Sequence, residues 1–306
     1  MPRKIIALAL AFIMAAACAA CTQEVPPATV VTTAPTTQTT TPPTDQTTIS
    51  TTAPTTVPTA PTTQPTDPPE PAGPSLLDFL TTATHPVGST MYVWGGGWNE
   101  EDTGAGIEAV TLGLPPQWAA FADKQDAYYN HKDTRYQIHD GLDCSGYIGW
   151  AVYNTLETED GRPGYVCAST VMAQQLSDRG LGEYIPAERM THWVPGDVMS
   201  MKGHCWIVVG MCDDGSVLLL HASPPGVMFS GTTAPDGSPT QATALSQQIM
   251  QTHFPDWYAR YPETDRSHSY LTNSSALRWS DEVLTDGEGL RQMSAHEVVA
   301  LLFPTN

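Results

Sequence analysis

Positive charge is scarce in this chain of 306 residues, with 13 lysines and arginines against 32 aspartates and glutamates and a formal net charge of -19. That balance argues against nucleic acid or an anionic polymer as an electrostatically captured partner. Long apolar runs are missing too. The run from Ile5 to Ala17 is too short to cross a bilayer, and nothing later reaches the roughly 18 uninterrupted apolar residues of a spanning helix. The stretch Gly95-Gly96-Gly97 lacks the Gly-Lys-Ser/Thr ending and the preceding strand of a phosphate loop, so it reads as a tight turn or a close backbone approach. No internal repeat of a recognised binding module is present.

What is present divides the chain unevenly. Arg3 and Lys4 precede the short apolar run, as in a secretory signal, so export is expected. The run ends in Ala17-Cys18-Ala19-Ala20-Cys21-Thr22, which resembles a bacterial lipoprotein signal with Cys21 as the lipidated residue and Cys18 as competitor. The expectation is a signal over 1–21 and an extracytoplasmic protein held to a membrane by a lipid at Cys21, with plain secretion as the alternative. Residues 22–74 are almost entirely Thr and Pro with Ala, Val and Gln. Such a segment cannot bury enough apolar surface to fold, and its prolines favour an extended backbone. It reads as a stalk with a reach on the order of 150 Å at about 3.1 Å per residue.

Residues 75–306 have the size of one domain with elaborations. Ser75 to Leu80 reads as a short capped helix. An irregular insertion follows Trp98, with one helix near Gln117 to Tyr129. Asp143 caps a helix opened by Cys144, along which Ile148, Val152 and Leu156 recur at helical spacing. Ser169 to Leu176 suggests another helix, and Val194-Pro195-Gly196-Asp197-Val198 a turn into a strand. His204 to Gly210 and Ser216 to Ser223 form a hairpin around Asp213-Asp214-Gly215. Beyond it come a helix from about Thr240 to Thr252, a loop-like Pro255 to Pro262, and a last helix at the Ser294 to Glu297 capping box. The aromatics of Pro255 to Pro262 are expected to pack on the core, with a sugar platform as the alternative.

The chemistry-bearing residues lie at the Cys144 helix and on the hairpin. A thiol at a helix start feels the positive end of the macrodipole, whereas the neighbouring Asp143 carboxylate opposes ionisation, so a cationic neighbour is needed to hold a thiolate. A thiol nucleophile also needs an imidazole to share its proton and a third group to fix that imidazole's tautomer. Cys144, His204 and His221 supply all three. Strand alternation puts His204, Trp206 and Val208 on one face and Cys205, Ile207 and Val209 on the other. A two-residue turn at Asp214-Gly215 would pair residue 208 with 221. Both histidines would then share a face but stand roughly 13 Å apart. A loop centred nearer Cys212, or a bulge that slides the second strand, would bring them together.

In chain order, Tyr92-Val93-Trp94-Gly95-Gly96, Asp143-Cys144-Ser145-Gly146, Pro195-Gly196-Asp197-Val198, Gly203-His204 and His221-Ala222-Ser223 resemble the motifs of the NlpC-type cell-wall cysteine peptidases. The resemblance covers about Leu76 to Val227. It implies an α+β, papain-like domain with helices packed on a central antiparallel sheet, here with a long insertion and a C-terminal extension over about 228–306. It further implies hydrolysis of amide bonds in peptidoglycan stem peptides by a monomer without a cofactor. Cys144 would be the nucleophile, His204 the general base and acid, and His221 the orienting residue. Tyr92, Asp143, Ser145, Ser169, Thr170 and Trp206 would form the substrate-binding set. The chain departs from the pattern in the length of the insertion between Trp98 and His139, in a longer hairpin, and in Cys205, where an aliphatic residue is typical.

Two other function classes are weighed against a peptidase: a wall-binding module that has lost catalysis, and a thiol amidase or acyltransferase that delivers the acyl group elsewhere. A zinc site on His204, Cys205, Cys212 and His221 is disfavoured, because adjacent strand residues face apart and paired Cys-x-x-Cys spacing is absent there. Cys167, Cys205 and Cys212 leave at least one cysteine unpaired if Cys144 is free and Cys21 lipidated, so no disulfide is needed.

Overall fold

Alternation along the strands decides the architecture. In the computed structural model, which describes residues 73–304, Val198, Cys205, Ile207, Leu218, Leu220 and Leu277 turn to one side of a sheet, while Met199, Trp206, Val208, Val217, Leu219 and Ala276 turn to the other. Each side is apolar, so each must be covered. The expected signal, Cys18, Cys21 and nearly all of the stalk lie outside the described residues.

The helices are α1 (Leu76–Thr84), α2 (Pro116–Ala122), α3 (Cys144–Leu156), α4 (Met172–Asp178), α5 (Gln241–His253), α6 (Pro255–Arg260), α7 (Ser269–Thr272) and α8 (Ala295–Leu302). The strands are β1 (Gly182–Ile185), β2 (Val198–Met201), β3 (His204–Met211), β4 (Val217–Ser223), β5 (Gly226–Thr232), β6 (Asp265–Arg266) and β7 (Ser275–Trp279). They form one sheet in the order β1-β7-β2-β3-β4-β5-β6, antiparallel except for the β5/β6 pair. The fold is therefore α+β. Helices α1, α3, α4, α5 and α8 cover the larger core, and Leu271 of α7 joins the smaller core on the opposite face.

Local capping explains the helix starts that the sequence announces. Ser75, Thr240 and Ser294 each close a capping box, and Asp143 accepts from the Gly146 amide at the head of α3. Other boundaries differ from expectation. The insertion helix stops at Ala122 rather than near Tyr129, because the polar run that begins at Asp123 has no apolar face left to bury. Helix α4 begins at Met172, not Ser169. The segment read as a loop after Pro255 is helical, with proline in the first turn and Trp257 buried against Gly226.

Long-range order was harder to read. Strand β5 pairs along the whole of β4, and β7 lies between β1 and β2, so residues beyond Val227 build the sheet itself. The Asp197 turn is tied to β7 by Arg278, whose Nε and Nη2 donate to the two carboxylate oxygens at 3.0 and 2.7 Å. Trp279 adds an indole donation to the Gly196 carbonyl at 2.8 Å.

The first turn of helix α3 meets the glycine turn backbone to backbone. Leu142 donates its backbone N–H to the Met91 carbonyl and accepts from the Val93 N–H across a short parallel bridge, and the glycine turn then runs under the first turn of α3. A Cβ on Gly146 would stand 2.0 Å from the Gly96 carbonyl oxygen, and Gly97 adopts φ +86°. Gly146→Ala is therefore expected to cost about 3 kcal/mol, the upper range for overpacking. Gly104→Ala, where a Cβ meets nothing within 4 Å, should change stability by less than about 0.5 kcal/mol. Urea unfolding of the two variants checks this, and equal costs would show that the close approach is not constraining.

Candidate active site

The head of α3 sets the first element of the site. The Asp143 carboxylate accepts from the Gly146 amide at 2.7 Å, the Ser145 hydroxyl at 2.9 Å and the Gly95 amide at 3.2 Å. One side chain thus caps the helix and clasps it to the glycine turn. Cys144 follows directly, buried but lining a cavity of about 370 Å³ with Tyr92, Trp94, Trp98, Asp143 and Ser169. Trp98 and Asp102 of the insertion form part of the cavity wall. Trp98 also donates to the Ser145 hydroxyl at 3.0 Å.

The second element is the β3/β4 register. Val208 pairs with Leu219 and Ile207 with Leu220, but Gly210 pairs with Leu218, leaving Val209 as the extra residue of a bulge. Gly210 then faces α8, where a Cβ would come 2.6 Å from the Ala295 Cα. The chain reverses through Cys212 to Ser216, joined by hydrogen bonds between Cys212 N and Ser216 O and between Gly215 N and Cys212 O. The simple two-residue turn at Asp214-Gly215 is therefore incorrect. Both devices, the bulge and the longer turn, slide β4, and His204 Nε2 comes to 2.9 Å from His221 Nδ1. Their rings stand nearly edge to face at 5.1 Å.

Cys144, His204 and His221 are thus brought together. Hydrogen bonding from the Cys205 thiol, followed by a hydrogen bond and charge from His204, holds the Cys144 thiol well below its ordinary range despite burial. Cys205 itself is fully buried and pushed well above the thiol range, so it stays a donor. Burial, and then the Cys144 charge, push the Asp143 carboxyl up to about 7. The carboxyl and the thiol compete for one negative charge. Burial, then the Arg266 charge and then His204, keep His221 well below the usual imidazole range and hence neutral.

Of the expected substrate-binding set, Tyr92, Asp143, Ser145 and Ser169 line the cavity. The Ser145 hydroxyl is already engaged by Asp143 and Trp98. Thr170 is exposed and not among the lining residues. Trp206 does not line the cavity: although alternation gives it the face of His204, it is fully buried there, donates to Ser274 Oγ at 3.3 Å and packs on Tyr270. Cys144, Cys167, Cys205 and Cys212 are all unbridged thiols.

Sequence reasoning missed four participants. Cys205 was signalled by alternation, which sends it toward α3 while His204 turns away. Ser230, Arg266 and Tyr270 surround the histidines from β5, β6 and α7, and no local pattern announces them. Comparison with protein-family models, curated proteins and solved structures returns no match for this chain.

The electrostatics predict shifts in opposite directions among three variants. With iodoacetamide labelling of Cys144 followed by mass spectrometry across pH, the midpoint should rise in His204→Ala and in Cys205→Ala, which remove hydrogen bonds to the thiolate. In Asp143→Asn it should fall, because a competing charge is lost. Cys167 and Cys212, each pushed up to about 11 chiefly by burial, should resist labelling at neutral pH. An unchanged midpoint in all three variants would contradict these couplings.

Proposed function

We propose that this protein is an exported thiol hydrolase of the NlpC-type, papain-like class that cuts amide bonds in peptidoglycan stem peptides. The observation that carries the reading is a helix-start cysteine with a depressed pKa beside His204, which is hydrogen-bonded to a buried neutral His221. The α+β layering, with α3 across β3 and β4, agrees with that class. The substrate class rests on the order of the five motifs and on the signal-like leader and Thr/Pro stalk.

In the proposed mechanism, His204 takes the Cys144 proton, the sulfur attacks the scissile carbonyl and first-turn amides of α3 stabilise the oxyanion. His204, now protonated, gives that proton to the departing amine as the C–N bond breaks and the thioester remains. Water then attacks the thioester while His204 takes its proton and returns it to the Cys144 sulfur, releasing the acid. Trp94, Trp98 and Asp102 shape the cavity beside Cys144 and would govern which bond fits.

Mass spectrometry of defined stem peptides and whole peptidoglycan, incubated with the wild type and with Cys144→Ala, tests the reading. Paired fragments from the wild type alone, heavier by one water in total, are expected. His204→Ala should lose about 10²- to 10⁴-fold in rate, and His221→Ala should retain more activity than Cys144→Ala. Products carrying an acceptor's mass would indicate acyl transfer. No products from a folded wild type would reject hydrolysis of these substrates.

A further inference from the structure

His221 is held at both ring nitrogens. Its Nδ1 lies 2.9 Å from His204 Nε2, while its Nε2 lies 3.0 Å from Ser230 Oγ and accepts from Arg266 Nε at 3.2 Å. A guanidinium only donates and does not lose its proton in a protein. A ring nitrogen that accepts from it is therefore bare. Neutral His221 must carry its proton on Nδ1 and donate it to His204. His204 Nε2, as the acceptor, is then bare as well, and the proton of that neutral ring sits on Nδ1, the nitrogen left for Cys144.

We propose that Arg266 is a positioning residue that fixes this tautomer of the His204–His221 pair in the resting protein. The proposal rests on Cys144, His204 and His221 acting as nucleophile, base and orienting residue, and adds what sets their proton positions. In this tautomer His204 offers Cys144 an N–H, which supports a thiolate but cannot take a proton from a thiol or a water. Base catalysis needs the other tautomer, with a lone pair on His204 Nδ1 and protons on Nε2 of both rings.

Ser230 Oγ already stands where it would accept from a protonated His221 Nε2. The two tautomers therefore share one placement of the rings. Once Arg266 Nε turns away, the His221 Nδ1 proton passes across the hydrogen bond to His204 Nε2, His204 Nδ1 gives up one proton on the Cys144 side and His221 Nε2 takes one from the side of the Arg266 cavity, so each imidazole ends with one proton. Arg266 has room to do so, because it lines a cavity of about 670 Å³ together with Tyr129, Ser223, Asp265 and Tyr270. Its Nη1 is held by the Asp265 carbonyl at 2.6 Å and its Nη2 lies 3.6 Å from Met228 Sδ, neither of which is a carboxylate. Release from His221 breaks no ion pair among the described residues.

Long-range ¹⁵N–¹H NMR of the full chain labelled with ¹⁵N-histidine reads the tautomer directly, with His221→Gln supplying the assignment. In the wild type and in Ser230→Ala, His221 is expected to show a protonated Nδ1 and a bare Nε2. In Arg266→Met the two nitrogens should exchange character, with Nε2 protonated. A wild-type His221 protonated on Nε2, or an unchanged tautomer in a folded Arg266→Met, would overturn the proposal. Should Arg266→Met fail to fold, the wild type and Ser230→Ala decide the matter. The spectra need no turnover. The expected tautomer in a protein that cuts no peptide would reject only the functional reading, whereas the opposite tautomer in an active hydrolase would reject only the role of Arg266.

Discussion

The Asp143 carboxylate is the point from which the site is built. It satisfies the first turn of α3 through Gly146, orients Ser145, and reaches across to the Gly95 amide. A helix cap is ordinarily worth about 1 kcal/mol. Here the same group also fixes the distance between two stretches 48 residues apart, and glycine at positions 96, 97 and 146 lets their backbones meet. Any side chain on Gly146 would lift α3, and Cys144 with it, from the cavity wall. The cost of this clasp is a buried carboxylate beside the thiol, and burial first, then the Cys144 charge, pushes the carboxyl up to about 7.

A reading of the sequence alone asks for a cationic neighbour to offset that charge. The structure answers in two parts, a neutral donor first and the hydrogen bond and charge of His204 after it. The contacts that favour the thiolate are the buried Cys205 thiol and His204, and the nearest guanidinium among the residues of the site, Arg266, sits behind His221. Strand alternation supplies this division of labour. Cys205 faces α3 as a fixed donor that does not ionise, while His204 and His221 turn to the other face, where Ser230, Arg266 and Tyr270 can act on them.

How much of this was legible depends on the range over which each feature is encoded. Caps are written in four consecutive residues, so Ser75, Asp143 and Ser294 could be read correctly, whereas the Thr240 cap, closed by Thr243 rather than by Glu or Gln, was not. That both histidines share a face follows from parity and was also readable. The need for a bulge or a wider turn could be argued from distance alone, but the place of the bulge could not. It falls at Val209 because Gly210 alone lets α8 press its Ala295 backbone onto the sheet, a contact 85 residues distant in sequence. Trp206 was misread for a related reason: parity joined it to His204, yet only the cover provided by α7 reveals that this face is core rather than cleft.

The C-terminal residues, which a motif-based boundary near Val227 sets apart from Cys144, His204 and His221, contribute to the surroundings of the two histidines. β5 carries Ser230, β6 carries Arg266 and α7 carries Tyr270, and all three surround His221. β7 anchors the Asp197 turn that leads into β2 and so into the hairpin that presents His204. Removal of this region would strip β4 of its β5 partner and expose the His221 ring. The motifs carry Cys144, His204 and His221. Part of the surroundings of the two histidines, Ser230, Arg266 and Tyr270, comes from chain that carries no motif at all, so a reading of the motifs is incomplete until the residues after Val227 are counted with them.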